Sequence, residues 1–290
     1  MLTPKNVAAG LAVIGFLVFD FIAPAAMEFE RDWIWVPMLL IGVCVGQINL
    51  IATWGALGPG NVVVRLPWSI LLGVLTWYSM ALGFQAGGRG GMRSDEVFLL
   101  GAVLLGGVVV AQIPLWIAGK AFRWRLVDLK DPTIRPTGGP LQFSLWHMLL
   151  GMVFVALALG FGRLVLPPAD FGGLHLEDEL VAILLAMVVT NLVMTVPCIW
   201  GALVKSNPVP PLAWPAYCAL ATAVEFGVLC GVLGSPGPDA GEVFVAFFLL
   251  NLSQCATVYF VLRVFRAVGF RLVRVARGDL PGTGGRRLLA

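Results

Sequence analysis

Eight long apolar stretches divide the chain, at approximately 7–26, 34–57, 67–84, 97–118, 144–166, 180–204, 213–233 and 243–265. A helix needs roughly 20 apolar residues to cross a hydrocarbon core about 30 Å thick. All eight come near that length, the third being the shortest. Lipid offers no partner to an open backbone edge, so a sheet with free edges is not expected and each stretch reads as a helix. Only 12% of the residues are charged and 59% are hydrophobic, whereas a soluble globular protein carries about 25% charged residues. The chain could not coat a water-facing surface. This excludes a soluble enzyme, a disordered chain and a nucleic-acid binder, and leaves a polytopic membrane protein.

The charges sort by side. If the N-terminus is cytoplasmic, 15 of the 19 lysines and arginines, from Lys5 and Arg65 to Arg286 and Arg287, fall on the cytoplasmic face. Arg31, Arg89, Arg93 and Arg163 remain outside, together with Glu28, Asp95, Glu96, Asp170, Asp239 and Glu242. The positive-inside bias therefore places both termini in the cytoplasm. A helix count wrong by one would scramble this sorting. Lys5, the apolar run after it and Ala23-Pro24-Ala25 also mimic a secretory signal with its cleavage site. The internal duplication argues for a retained first helix, because its counterpart is a full span.

That duplication appears when the chain is slid against itself by 146 residues. Trp54-Gly55-Ala56-Leu57 falls on Trp200-Gly201-Ala202-Leu203, Asn61 on Asn207, Trp68 on Trp214 and Thr76 on Thr222. Glu96-Val97-Phe98 falls on Glu242-Val243-Phe244, and Arg125-Leu126-Val127 on Arg271-Leu272-Val273. About 20 of the 89 pairs between 39–127 and 185–273 are identical, against roughly eight expected from composition. Four is even, so both copies face the same way and are related by an axis along the membrane normal. The expected fold is an all-α membrane protein of eight transmembrane helices in two parallel four-helix repeats. Its parts are a first repeat at 1–126, a cytoplasmic linker at 127–143, a second repeat at 144–275 and a flexible tail at 276–290.

Most residues shared by the copies have scaffold readings. The paired tryptophans suit the interface, Glu96 and Glu242 suit helix N-termini, and Arg125 and Arg271 suit cytoplasmic anchors. Gly42-x-x-x-Gly46 and Gly227-x-x-x-Gly231 would admit a close helix neighbour. The five cysteines lie in apolar runs as small buried hydrophobes, with no metal or disulfide spacing.

Ionisable groups at membrane depth are the default functional candidates. Glu225 is central in the seventh stretch, and its repeat partner is Ser79. Asp20 lies towards the outer end of the first stretch. His147 stands near the cytoplasmic start of the fifth. A set of amides accompanies them: Gln47, Asn49, Gln112, Asn191, Asn251 and Gln254. Gln47, Gln112, Asn191 and Gln254 each face a valine in the other copy, so the shell was copied while the polar interior diverged. One reading is an intramembrane polar pathway through Glu225, Gln47, Asn49, Gln112, Asn191, Gln254 and Asp20. The other is a set of interhelical hydrogen bonds. Metalloprotease, nucleophile-elbow, phosphate-loop and dinucleotide signatures are missing, so no enzyme activity, catalytic residue, metal or cofactor is expected.

Gln142-Phe143-Ser144-Leu145-Trp146-His147-Met148-Leu149-Leu150 opens the fifth stretch. This QFS-x-x-H-x-LL helix start resembles one that recurs in uncharacterised planctomycete polytopic integral membrane proteins. Gly46-Gln47-Ile48-Asn49-Leu50 and Trp54-Gly55-Ala56-Leu57-Gly58-Pro59, followed by Arg65-Leu66-Pro67, are similar to the same proteins. The resemblance covers about a third of the chain and implies a bacterial inner (cytoplasmic) membrane, without a mechanism. Together these features point to a non-catalytic membrane subunit or scaffold. The alternative is a small-solute or proton-coupled permease with Glu225 in its pathway. The expected partners are the lipid bilayer and a membrane protein or second copy, not nucleic acid.

Overall fold

The computed structural model describes residues 4–29, 35–59, 62–87, 93–121, 124–128, 191, 193–203, 213–233 and 240–274. Seven helices fall in these ranges: α1 (Pro4–Phe29), α2 (Trp35–Leu57), α3 (Val62–Ala86), α4 (Ser94–Ala121), α5 (Val193–Leu203), α6 (Ala213–Leu233) and α7 (Ala240–Ala267). Two short strands, β1 (Trp124–Asp128) and β2 (Phe270–Arg274), complete the set. Five of the described helices, α1 to α4 and α7, are long and apolar enough to cross a membrane. The chain is therefore a mostly helical, multi-pass membrane protein. The fifth stretch, His147, the residues from 129 to 143 and the tail from 275 onward lie outside the described residues.

The described part turns apolar side chains outward and keeps a layer of polar side chains buried within its apolar core. Val7, Leu11, Ile14, Val18 and Ile22 form an exposed stripe along α1 at helical spacing. Asp20, Gln47, Asn49, Gln112, Asn251 and Gln254 are buried. Water would favour the reverse, and lipid favours this arrangement because apolar side chains meet acyl chains while amides find partners within the bundle.

Helix α2 is central. It packs against α4 on one flank and α7 on the other, with α3 also beside it, and α1 leans chiefly on α3. Two glycines set the α2–α7 approach. A methyl group at Gly42 would overlap Ser253 Oγ and the Leu250 carbonyl. One at Gly46 would sit 2.8 Å from Thr257 Cβ and 3.1 Å from the Gln254 carbonyl oxygen. The close neighbour expected for this glycine pair is thus α7. Among the described residues, nothing lies within 4 Å of a methyl group placed at Gly227, the first glycine of the other such pair. Gly83 does a similar job for α1, receiving the Phe21 carbonyl and Pro24. The Ala23-Pro24-Ala25 run that imitates a cleavage site is thus packed inside the α1–α3 interface.

The third stretch is longer than its apolar run suggests. Helix α3 starts at Val62 and carries Pro67 in its second turn, where the ring removes one backbone hydrogen bond, a loss that transmembrane helices accommodate through neighbouring groups and local adjustment. Arg65 is consequently not a loop residue. It is buried on α3 and its Nη1 donates to the Gly58 carbonyl and, at 3.3 Å, to the Ala56 carbonyl. These are among the last carbonyls of α2, which lack partners within their own helix. Arg266 Nη1 does the same for Ala202 near the end of α5, at 3.2 Å.

The strands were not anticipated. They follow α4 and α7 and form an antiparallel ribbon, with Trp124 opposite Arg274 and Leu126 opposite Leu272. Gly269, at φ 113°, makes the turn out of α7 that no side-chain-bearing residue would adopt readily. The general argument against sheet edges in lipid does not reach a ribbon placed beyond the helix ends. Strand β1 also runs across the expected start of the linker at 127. Leu126 and Leu272 are both buried, joining a core cluster that includes Ala52, Leu115, Ile199, Leu203 and Leu262. Trp54 meets Phe270 edge to face, with ring centroids 6.0 Å apart. The C-terminal ends of α2, α4, α5 and α7 therefore converge at the ribbon. A second cluster, with Cys44, Ile48, Trp77, Met80 and Leu104, fills the space among α2, α3 and α4.

Candidate functional site: the buried polar layer

The seven residues expected in a polar pathway are all described. Asp20, Gln47, Asn49, Gln112, Glu225 and Gln254 are buried, and Asn191 is partly so. They do not form one file. They separate into four groups, each completed by hydroxyl or thiol side chains that the sequence reading did not single out.

The first group joins the two ends of the chain. Asn191 Oδ1 accepts from Asn49 Nδ2 at 2.6 Å, from Gln254 Nε2 at 2.5 Å and from Thr195 Oγ1 at 3.3 Å. Gln254 Nε2 also approaches Thr195 Oγ1 at 3.4 Å. One amide carbonyl is thus the hub between α2 and α7. Helical geometry explains the choice of residues. Gly42, Gly46, Asn49 and Thr53 recur every three or four residues along one face of α2, which is the face turned to α7. Thr53 Oγ1 returns its hydrogen to the Asn49 carbonyl at 2.6 Å.

The second group holds Glu225. Asn251 Nδ2 donates to Glu225 Oε2 at 2.9 Å and to Thr222 Oγ1 at 3.0 Å. Thr222 and Glu225 are three apart on α6 and so share the face toward α7. Cys218, a turn further back, directs its thiol at the Asn251 carbonyl at 3.9 Å.

The third group surrounds Asp20. Cys44 Sγ lies 4.0 Å from Asp20 Oδ1, and Gln47 and Thr76 flank the same carboxyl. Asp20 Oδ2 and both polar atoms of Gln47 have no hydrogen-bond partner. The fourth group stands apart: Gln112 Nε2 donates to Ser69 Oγ at 3.2 Å, beneath Gly55. Gln112 therefore does not belong with the other amides.

No family model matches the chain, and neither a curated protein nor a solved structure matches it. Chemistry alone must then be read from the groups. Two contain a carboxyl, Asp20 in one and Glu225 in the other, and each carboxyl stands beside a threonine, Thr76 or Thr222. Those threonines are 146 residues apart, the period of the sequence repeat. Their identity was visible in the sequence, and was the one signal that could have nominated them. Carboxyl, amide and hydroxyl groups offer hydrogen bonding, charge or cation coordination. Among the described residues no three His, Cys, Asp or Glu side chains gather as a metal site. The five thiols are free, four of them buried. Of the repeated tryptophans, Trp68 and Trp200 are exposed, as an anchor would be, whereas Trp214 is buried against Tyr217 and Tyr259.

Proposed function

We propose that the chain is a non-catalytic membrane subunit or scaffold: two same-facing four-helix repeats locked into one rigid frame in a bacterial inner membrane, ribbon end and both termini toward the cytoplasm. The seam between α2 and α7 carries this reading. Its glycines leave no room for a methyl group, and its polar contacts centre on Asn191. A permease that alternates by rocking one bundle against the other needs a seam that opens, and this one is closed by backbone as well as side chains. The ribbon supports the duplication. Its strands occupy positions 146 apart, and the equivalent residues Leu126 and Leu272 face each other, as a two-fold axis through their midpoint requires. Lys120, Arg263 and Arg266 near the ribbon, and Asp95, Glu96 and Glu242 at the opposite helix ends, support the orientation.

The test is the distance between probes at Ser94 and Ala240, which begin α4 and α7. Spin labels carried on an unnatural ketone side chain would leave the native thiols untouched. In nanodiscs a scaffold has one distance distribution, unchanged by pH or ion gradients. Two populations that exchange would overturn the reading. The second reading, a small-solute or proton-coupled permease, is favoured by the buried Glu225–Asn251–Thr222 contact. It requires that Glu225→Gln abolish flux in proteoliposomes while folded yield is kept.

A further inference from the structure

The arginines at the ribbon end are not alike. Arg266 and Arg271, in the second half, spend Nη1 donors on backbone carbonyls: Ala202 for the one, Arg266 and Phe270 for the other. In the first half, Arg65 on α3 is only 9% exposed, and its described hydrogen bonds all run from Nη1 to the end of α2. Its Nε is enclosed without a partner. A second guanidinium, that of Arg125 on β1, is near enough for the two charges to repel. Strand alternation explains the placement. Leu126 and Leu272 turn into the core, so Arg125 and Arg271 stand on the other face of the ribbon. Among the described residues no carboxylate pairs with Arg65 or Arg125, and the one ion pair, Arg93 with Asp95, lies at the opposite helix ends. Two cations held together, one of them nine-tenths buried, are costly unless an anion lies against both. The cap on α2 accounts for Arg65. It does not account for a like charge kept beside it.

We propose that Arg65 and Arg125 bind the phosphate of an anionic phospholipid at the ribbon end of the bundle. Phosphate suits the donors, because guanidinium N–H groups form forked, charge-assisted bonds to its oxygens. One negative group then serves two arginines that would otherwise repel. A lipid with its own ammonium group would bring a third cation, so the headgroup is anionic, of the phosphatidylglycerol class. The neighbouring surface selects a lipid over a free ion. Val64, Trp68, Leu71, Leu75 and Leu82 are exposed, and their spacing makes one apolar stripe along α3 that begins one residue from Arg65. Acyl chains can follow this stripe while the headgroup stays at the arginines, and Trp68, near the start of α3, suits the interface between the two. Basic pockets at helix ends bind such headgroups. The sequence period gives the site no twin: 146 residues on from Arg65 stands Pro211. The site belongs to the first half of the chain and stands whether the protein is a scaffold or a permease.

The experiment is a thermal melt followed by tryptophan emission, on the full chain in nanodiscs whose phosphatidylcholine is replaced stepwise by phosphatidylglycerol. High salt screens the attraction between exposed charges and the charged surface. The wild type shows a saturable rise in melting temperature with phosphatidylglycerol, because a ligand that binds the folded state alone stabilises it by mass action. Arg125→Gln raises the half-saturating fraction by about tenfold or more, the effect of losing one charge-assisted contact. Lys120→Gln removes an exposed charge at the same end and shifts it far less. Arg65→Gln acts as Arg125→Gln does. Should Arg65→Gln fold poorly because α2 loses its cap, Arg125→Gln carries the test, with native mass spectrometry of the detergent-purified chain as the second measurement: the wild type retains phosphatidylglycerol and the variant does not. Equal melting in the two lipids would overturn the proposal. So would an Arg125→Gln shift no larger than that of Lys120→Gln, which marks a general surface attraction. An equal rise when glycerol phosphate is added to phosphatidylcholine nanodiscs would overturn it too, since the ligand would then be a free phosphate ester.

Discussion

Replacing Asn191 by leucine tests the seam at its hub. The side chain is close in size, so the change chiefly removes an acceptor. Three contacts go: those from Asn49, Gln254 and Thr195. Interhelical hydrogen bonds in membrane bundles average about 0.6 kcal/mol, which sets a floor of about 1 kcal/mol for the two that cross between helices, from Asn49 and Gln254. The losses are not equal, however. Gln254 keeps a long contact to Thr195, while Asn49 Nδ2 loses its one described partner in a place too dry for water to replace it. A buried donor left unsatisfied costs about 1–3 kcal/mol. The expected destabilisation is therefore about 2–4 kcal/mol. Reversible unfolding by steric trapping in lipid would measure it. The double mutant with Asn49→Leu should recover part of the loss, because it removes the orphan together with its partner, giving a coupling of about 1 kcal/mol. A single mutant within about 0.5 kcal/mol of wild type, or strictly additive mutants, would refute the claim that this amide ties the seam.

The glycines should respond asymmetrically. Gly42→Ala pushes a methyl group into the Leu250 carbonyl and should cost about 1–3 kcal/mol, whereas Gly227→Ala meets open space and should be neutral or stabilising; the same unfolding assay compares them. The ribbon register can be trapped chemically. Leu126→Cys with Leu272→Cys should oxidise to a disulfide, since directly opposed residues lie within bridging distance. Leu126→Cys with Phe270→Cys should not, and gel mobility after oxidation separates the two.

Much of the helix arrangement can be read from the chain because the bilayer simplifies the physics. A run such as Trp35–Leu57 has few alternatives, and the amides within it had to turn inward. Gly42 and Gly46 announced a close neighbour, though which helix would fill the gap depends on residues some 200 positions away. The hydroxyl partners escaped because threonine is too common to nominate by itself. Thr195 and Thr222 acquire meaning only once α5 and α6 are set beside α7. Arg65 misled for a related reason: a basic residue near a predicted loop resembles an anchor, and only the nearby end of α2 makes it a cap. The ribbon was missed on principle. Edge pairing is forbidden in hydrocarbon, and Arg125-Leu126-Val127 lies just past that boundary, where the rule stops. Gln112 was grouped with the other amides by composition, although α4 turns it toward Ser69.

The pairing of β1 with β2 has a consequence for synthesis. The two segments leave the ribosome with 141 residues between them, so the earlier one waits through about half of translation with its backbone uncommitted. The flank of α2 that α7 will cover waits longer, through the 182 residues between Leu57 and Ala240, its notch and its amide facing lipid. Maturation is therefore governed by a late arrival, and the nascent chain spends that interval dependent on whatever in the membrane can shield a half-built bundle.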